Sequence, residues 1–323
     1  MDFCAAHPPF KELISRFTNA FAVHLNPLVL IIRNDALPKV SQVEPLASFR
    51  DVAALCTIPY ARSLGLVYPN RGHRISYSNS FWLYPWMLGT DNQHLVASTP
   101  AFEGLHVVKE FHGQSSPDLP TMKFSDVDSP LLEVLLQRWK RYYLGKRMRR
   151  EDRTLFRSLN MAMQTPQLPG GIDVTLYDLG RIIALWVSAF EILAHTPAAR
   201  SGLHQIYSLL ERVSYGERGV GQRRYKAYQG RRPKGLPPPG RATLPVWLYG
   251  EIYRARCDFL HGNPVRKDSL SFTDAEASLF WIAPCLYRMA LTGFLKPSSM
   301  EPPSPHGPQG VIERALLRAR KRN

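Results

Sequence analysis

From Ser129 to Leu295 the chain repeats one pattern: a polar cap or a proline, then apolar residues three and four apart. Each such segment presents a single apolar stripe that a neighbouring helix must cover, so the pattern predicts an antiparallel helical bundle over residues 129–296. Ser129-Pro130 places a cap residue before a proline at the first helical position, and Leu131, Val134, Leu135 and Trp139 follow at helical spacing. Thr175-Leu-Tyr-Asp178 reads as a capping box, continued by a stripe of Leu176, Leu179, Ile183, Trp186, Phe190 and Leu193. Thr273-Asp-Ala-Glu276 is a second box, opening a helix that ends near Gly293. Between them lie helices over Leu203 to Val213 and Leu244 to His261, the latter stopped by Gly262-Asn-Pro264. The apolar run Leu279 to Leu295 holds Pro284 and Arg288 and is short for a bilayer, so it reads as a core helix.

Residues 1–128 carry mixed signals. Pro9 to Phe21 and Phe49 to Leu64 have helical spacing, Leu28 to Ile32 is a β-branched run, and short aromatic segments follow at Ile75 to Tyr77 and Phe81 to Met87. The fold class expected is therefore mainly α, a helical bundle with a smaller α+β N-terminal domain. Residues 297–323 read as a proline-rich linker and basic tail, with a short helix over Val311 to Arg322. Four cysteines lie far apart with no CxxC pair, and the N-terminus has no charged segment followed by an apolar one. A reducing, cytoplasmic setting is the expectation. His106 and His112 are too loosely spaced and too little supported by acidic or thiol neighbours to read as metal ligands, and neither a metal nor a cofactor is expected.

Charge is unevenly placed. The chain holds 41 Lys and Arg against 26 Asp and Glu, a formal net charge of +15. Residues 138–150 carry seven basic side chains and no acid, residues 214–243 eight against Glu217, and residues 311–323 five against Glu313. The rest of the chain is slightly acidic, so three concentrated runs sit on a near-neutral body. That distribution points to a polyanion, nucleic acid before an anionic membrane surface. The basic tail lacks the aromatic anchors of a membrane-surface helix, and no membrane partner is expected. Residues 214–243 are rich in Gly and Pro and read as a long basic loop. There Arg223, Arg224, Lys226, Arg231 and Arg232 suit phosphates, while Tyr225 and Tyr228 suit stacking on unpaired bases.

The segment Ile252-Tyr-Arg-Ala-Arg-Cys-Asp-Phe-Leu-His-Gly262 gathers two arginines, an acid and a histidine at the end of an otherwise apolar helix. Leu248, Ile252, Ala255 and Phe259 form its core face. On an ideal helix Arg254, Asp258 and His261 fall within roughly 60° of one another, while Arg256 lies about 140° from His261. Helix geometry loosens in the last turn, so both arginines stay in play. Histidine can take the ribose 2′-hydroxyl proton or supply one to the leaving oxygen near neutral pH, and arginine can stabilise the charge on phosphorus.

Tyr-Arg-Ala-Arg256-Cys-Asp-Phe-Leu-His261-Gly resembles the Arg-x4-6-His helix of HEPN domains (higher eukaryotes and prokaryotes nucleotide-binding), particularly the Apea-like branch with its Arg-Asn-Asp, two apolar residues and His-Gly. Ala184-Leu-Trp-Val-Ser-Ala-Phe-Glu191-Ile-Leu resembles that branch's apolar helix with a central Ala-x-Glu-x-Leu, and Phe156-Arg-Ser-Leu159 its first helix. The resemblance covers roughly residues 130–296. It departs at Cys257, where the family usually has a polar residue after the arginine. It implies an all-α domain that forms a homodimer with one composite cleft, and a metal-independent endoribonuclease in toxin, abortive-infection or antiphage defence. Other members only bind nucleotides or RNA, so the alternative is a non-catalytic nucleic-acid-binding or dimerisation module. Carried over by position, Arg256 and His261 are the catalytic pair, Asp258 orients one of them, and Glu191 is a supporting acid.

Overall fold

The computed structural model describes residues 8–18, 43–69, 77–82, 84–88, 95–97, 112–114, 123–167, 176–195, 202–230, 240–263, 278–295 and 304–319. The chain is mainly helical and divides into two units, residues 1–41 with 79–122 and residues 42–78 with 123–323. The first unit contributes helix α1 (Pro8–Ser15) and the short strands β1 (Phe17–Thr18), β2 (Tyr84–Leu88), β3 (Leu95–Ala97) and β4 (His112–Gln114), ordered β1-β3-β2-β4. β1 runs parallel to β3, and β2 runs antiparallel to both β3 and β4.

The second unit is built on two helices, α2 (Val43–Val67) and α9 (Leu279–Leu295). α3 (Ser129–Leu144), α4 (Arg150–Met163), α5 (Leu176–Leu193), α6 (Leu203–Glu211), the single turn α7 (Arg218–Gly221), α8 (Leu244–Leu260) and α10 (Pro308–Arg318) complete it. α2 packs against α3, α4, α9 and α10, while α9 also meets α5, α6 and α8. α9 is buried on nearly every side, as an all-round apolar helix in a core must be. Its Tyr287 hydroxyl lies 2.6 Å from the Ser158 hydroxyl, which donates to the Ala189 carbonyl at 2.7 Å, so one polar chain joins α9, α4 and α5.

The division differs from a boundary at residue 128. α2, expected within an N-terminal α+β domain, belongs to the helical unit, because Val52, Leu55 and Ile58 are fully buried there and its apolar residues face more than one partner. The helix at residues 308–318 is no free tail either. Val311, Ile312, Ala315 and Leu316 are buried against α2 and α9. Its acid Glu313 is fully buried and accepts from the backbone N–H groups of Gly216 (3.2 Å) and Glu217 (2.6 Å), tying the start of the 214–243 insert to the core. That insert is fastened through Gly230: Tyr215 donates to the Leu210 carbonyl, and Tyr225 bridges to Ala242. The Thr273–Glu276 box, Thr175, Leu28 to Ile32, His106, Arg231 and Arg232 lie outside the described residues.

α3 is capped one residue earlier than Ser129-Pro130 predicts. The Asp128 carboxylate accepts from the Leu131 N–H at 3.2 Å, putting Pro130 at the second helical position. Asp128 also donates its backbone N–H to the Cys56 carbonyl of α2 at 2.8 Å, and its other oxygen accepts from Arg288 Nε of α9 at 2.7 Å. Arg288 is completed by the Thr292 hydroxyl. Both charged side chains are 2% exposed or less, so removing one strands the other in the core. Asp128→Ala should cost roughly 3–5 kcal/mol in chemical denaturation, and pairing it with Arg288→Met should recover most of that loss.

Candidate active site

α8 starts at Leu244, with Pro245 in its first turn, and ends at a glycine-dependent stop. Gly262 has φ of +70°, a left-handed conformation that glycine adopts without strain. Its N–H donates to the Phe259 carbonyl (3.3 Å) and the Asn263 N–H to the Asp258 carbonyl (2.9 Å), the paired bonds of a Schellman stop. His261 is therefore the C-cap residue, with its ring exposed. The buried face is Leu248, Tyr249, Ile252 and Ala255. Phe259, assigned to that face from spacing, is half-buried against Gly180 of α5, where even a methyl group would overlap its ring. This close approach sets the distance between α5 and the end of α8.

The four polar side chains of the helix end do not converge within the described residues. Arg254 is exposed, pairs with Glu251 at 3.0 Å and lies over the Tyr228 ring, 5.1 Å from its centre. Arg256, on the other side, is half-buried, stacks over Tyr253 at 5.8 Å and places its charge near Glu191 of α5. The Asp258 carboxylate, expected to orient His261 or an arginine, instead accepts from the Asn263 amide at 3.0 Å, because the Schellman turn brings that side chain back over it. The ideal-helix grouping of Arg254 with His261 is not realised as a contact, since Glu251 and Tyr228 hold that arginine elsewhere.

The rings of the insert are also engaged. Tyr225 stacks on Trp247 with centres 5.4 Å apart, and Tyr228 meets Arg254 while its carbonyl accepts from the Tyr207 hydroxyl. Both tyrosines are half-buried, so stacking on bases would have to displace these contacts. Arg223 pairs with Glu211 at 3.1 Å, and Arg224 and Lys226 are exposed.

Elsewhere in the same unit the surface is concave. A 690 Å³ cleft between α4 and α5 is lined by Arg150, Arg153, Arg157, Ser188, Glu191 and His195. A second, of 600 Å³, shares Arg150, Thr154 and His195 and extends to Arg149, Arg141 and Arg212. Glu191 thus belongs to the cleft and to the surroundings of Arg256. None of these arginines was singled out as a site residue from the sequence, although Arg150, Arg153 and Arg157 carry a helical signal in their spacing of three and four. No His, Cys, Asp and Glu cluster that could hold a metal occurs among the described residues, and none of their helices is long and apolar enough to cross a membrane.

Compared with known proteins, the chain matches no family model, no curated protein and no solved structure.

Two outcomes test this geometry. Gly180→Ala should destabilise by about 1–3 kcal/mol, because Phe259 has to move, whereas the same change at exposed Gly262 is opposed by backbone strain alone. Burial raises the Glu191 carboxyl above its ordinary value, and the Arg256 charge only partly lowers it again. A carboxyl raised in the folded state weakens folding as the pH climbs past its unfolded value of about 4.3. Glu191→Gln should therefore raise the denaturation midpoint at neutral pH and leave it nearly unchanged below about pH 4.

Proposed function

We propose that this chain is a metal-independent endoribonuclease of HEPN type, of the toxin or antiphage kind, acting as a homodimer through Arg256 and His261. The observation that carries the reading is the end of α8, where an exposed histidine whose ring has no hydrogen-bond partner among the described residues stands five positions beyond an arginine with no ion pair among them. Arg254 is committed to Glu251 and Tyr228, which favours Arg256 as the phosphate ligand.

The chemistry needs only these groups. One His261 takes the proton of the ribose 2′-hydroxyl, and the 2′-oxygen bonds to phosphorus as the bond to the 5′-oxygen breaks. That 5′-oxygen receives a proton from the second protomer's histidine, leaving a 2′,3′-cyclic phosphate and a 5′-hydroxyl. Arg256 bears the charge that builds on the phosphate oxygens.

A second reading, a nucleic-acid-binding module without chemistry, is favoured by Asp258 being taken up by Asn263 and by Cys257 in place of the family's polar residue.

Cleavage of single-stranded RNA should persist in excess chelator and require a 2′-hydroxyl at the scissile position. His261→Ala should lower the rate by about 100-fold or more without changing the dimer seen by light scattering. Arg256→Ala should cost more than Arg254→Ala. Undiminished cleavage by His261→Ala, or activity lost with chelator, moves the assignment to the binding module.

A further inference from the structure

The basic run at residues 138–150, with seven cations and no acid, ends at the adjoining clefts beside α4, and its arginines have two distinct fates. Arg138 and Arg141 converge on the fully buried Asp152, Arg141 Nε donating at 2.7 Å and Arg138 lying 3.2 Å away. Arg149, Arg150, Arg153, Arg157 and Arg212 have no carboxylate partner among the described residues, and the Arg153 guanidinium donates to the Met148 sulfur. All five are exposed on the cleft walls. Unpaired guanidinium groups turned toward one concavity repel one another, and an anion inside it relieves that repulsion.

The shape narrows the ligand further. Arg150, Arg153 and Arg157 form a row about 10 Å long on α4, in a cleft also lined by Ser188 and Glu191 of α5 and by His195 just beyond its end. A row suits successive phosphates of a strand better than one compact anion. The cleft between α4 and α5 holds no side-chain amide and a single ring, His195, while Phe294 and the Gln205 amide line only the second cleft, so little in the track can read a base. A hollow of 690 Å³ has room for a short stretch of one strand's backbone rather than for a duplex, whose two grooves together span about 18 Å.

We propose that the cleft between α4 and α5 is a binding track for the phosphodiester backbone of single-stranded nucleic acid, with Arg150, Arg153 and Arg157 as its phosphate ligands and no sequence preference. The track rests on the RNA-directed reading of α8 and deepens it: Glu191 lines the cleft and its carboxyl feels the Arg256 charge, so one residue links the track to the proposed phosphate ligand. It also assigns backbone binding to this cleft rather than to Arg223, Arg224 and Lys226 of the insert.

The test is fluorescence anisotropy of the full chain carrying His261→Ala, with a labelled oligouridylate of about twelve nucleotides over a salt series. Two triple variants remove the same charge: Arg150→Gln/Arg153→Gln/Arg157→Gln in the cleft, and Arg223→Gln/Arg224→Gln/Lys226→Gln in the insert. The cleft triple should weaken binding by about tenfold or more at low salt and reduce the slope of log affinity against log salt by about 2, with its circular dichroism unchanged. The insert triple should do less. Oligodeoxythymidylate should bind about as well as oligouridylate, because phosphates carry the contact.

Parent-like binding by the cleft triple, a larger loss in the insert triple, strong discrimination between the two oligomers, or displacement of RNA by a nucleoside triphosphate at comparable concentration would each overturn the track. Cleavage by the chain without His261→Ala separates the two claims. Cutting with an indifferent cleft triple leaves the enzyme reading and removes the track, whereas binding through the cleft without cutting keeps the track and removes the enzyme.

Discussion

The ion pair between Asp128 and Arg288 is the point on which the helical unit turns. Asp128 starts α3 by capping it, holds α2 through the Cys56 carbonyl, and neutralises the guanidinium that α9 carries into the core. A buried pair is an uncertain source of net stability, because two charges must give up water to form it. Its value here lies in orientation. One pair thus ties α2, α3 and α9 to one another through directional bonds, a constraint that apolar stripes alone do not impose.

Around that frame the unit sorts its many cations by whether a carboxylate reaches them. Arg138 and Arg141 are absorbed by Asp152, and Arg254 is held by Glu251 and Tyr228. Buried Glu313 secures the Gly216 and Glu217 backbone and receives the Gln309 amide. Among those with no carboxylate partner in the described residues, Arg149, Arg150, Arg153, Arg157 and Arg212 line two adjoining clefts and Arg256 stands at the end of α8. Net charge therefore describes this surface poorly, and the pairing pattern describes it better.

The two arginines of α8 show how a helix divides neighbouring residues. Two positions apart, Arg254 and Arg256 point about 200° around the axis from each other, and different neighbours receive them. Arg254 meets the insert and Arg256 meets α5. Gly180 makes the second encounter possible by letting Phe259 sit directly on the α5 backbone.

Local signals were enough to reveal most helices of the second unit. The run Leu279 to Leu295 is helical over the stated residues, and the stop at Gly262 follows from a residue that adopts positive φ freely. Periodicity could not say which stripe covers which, and so α2 was assigned to the wrong unit and the helix at 308–318 read as a tail. It also could not say which polar atoms spend their hydrogen bonds on each other. Asp258 turns to Asn263, and Tyr225 to Trp247, through contacts that depend on turns and on residues distant in sequence. Composition and helical period alone determined that the chain is mainly helical and carries three basic runs, because those properties are written residue by residue. Which arginines remain free to meet a phosphate was decided by tertiary structure, because ion pairing depends on distances that only packing sets.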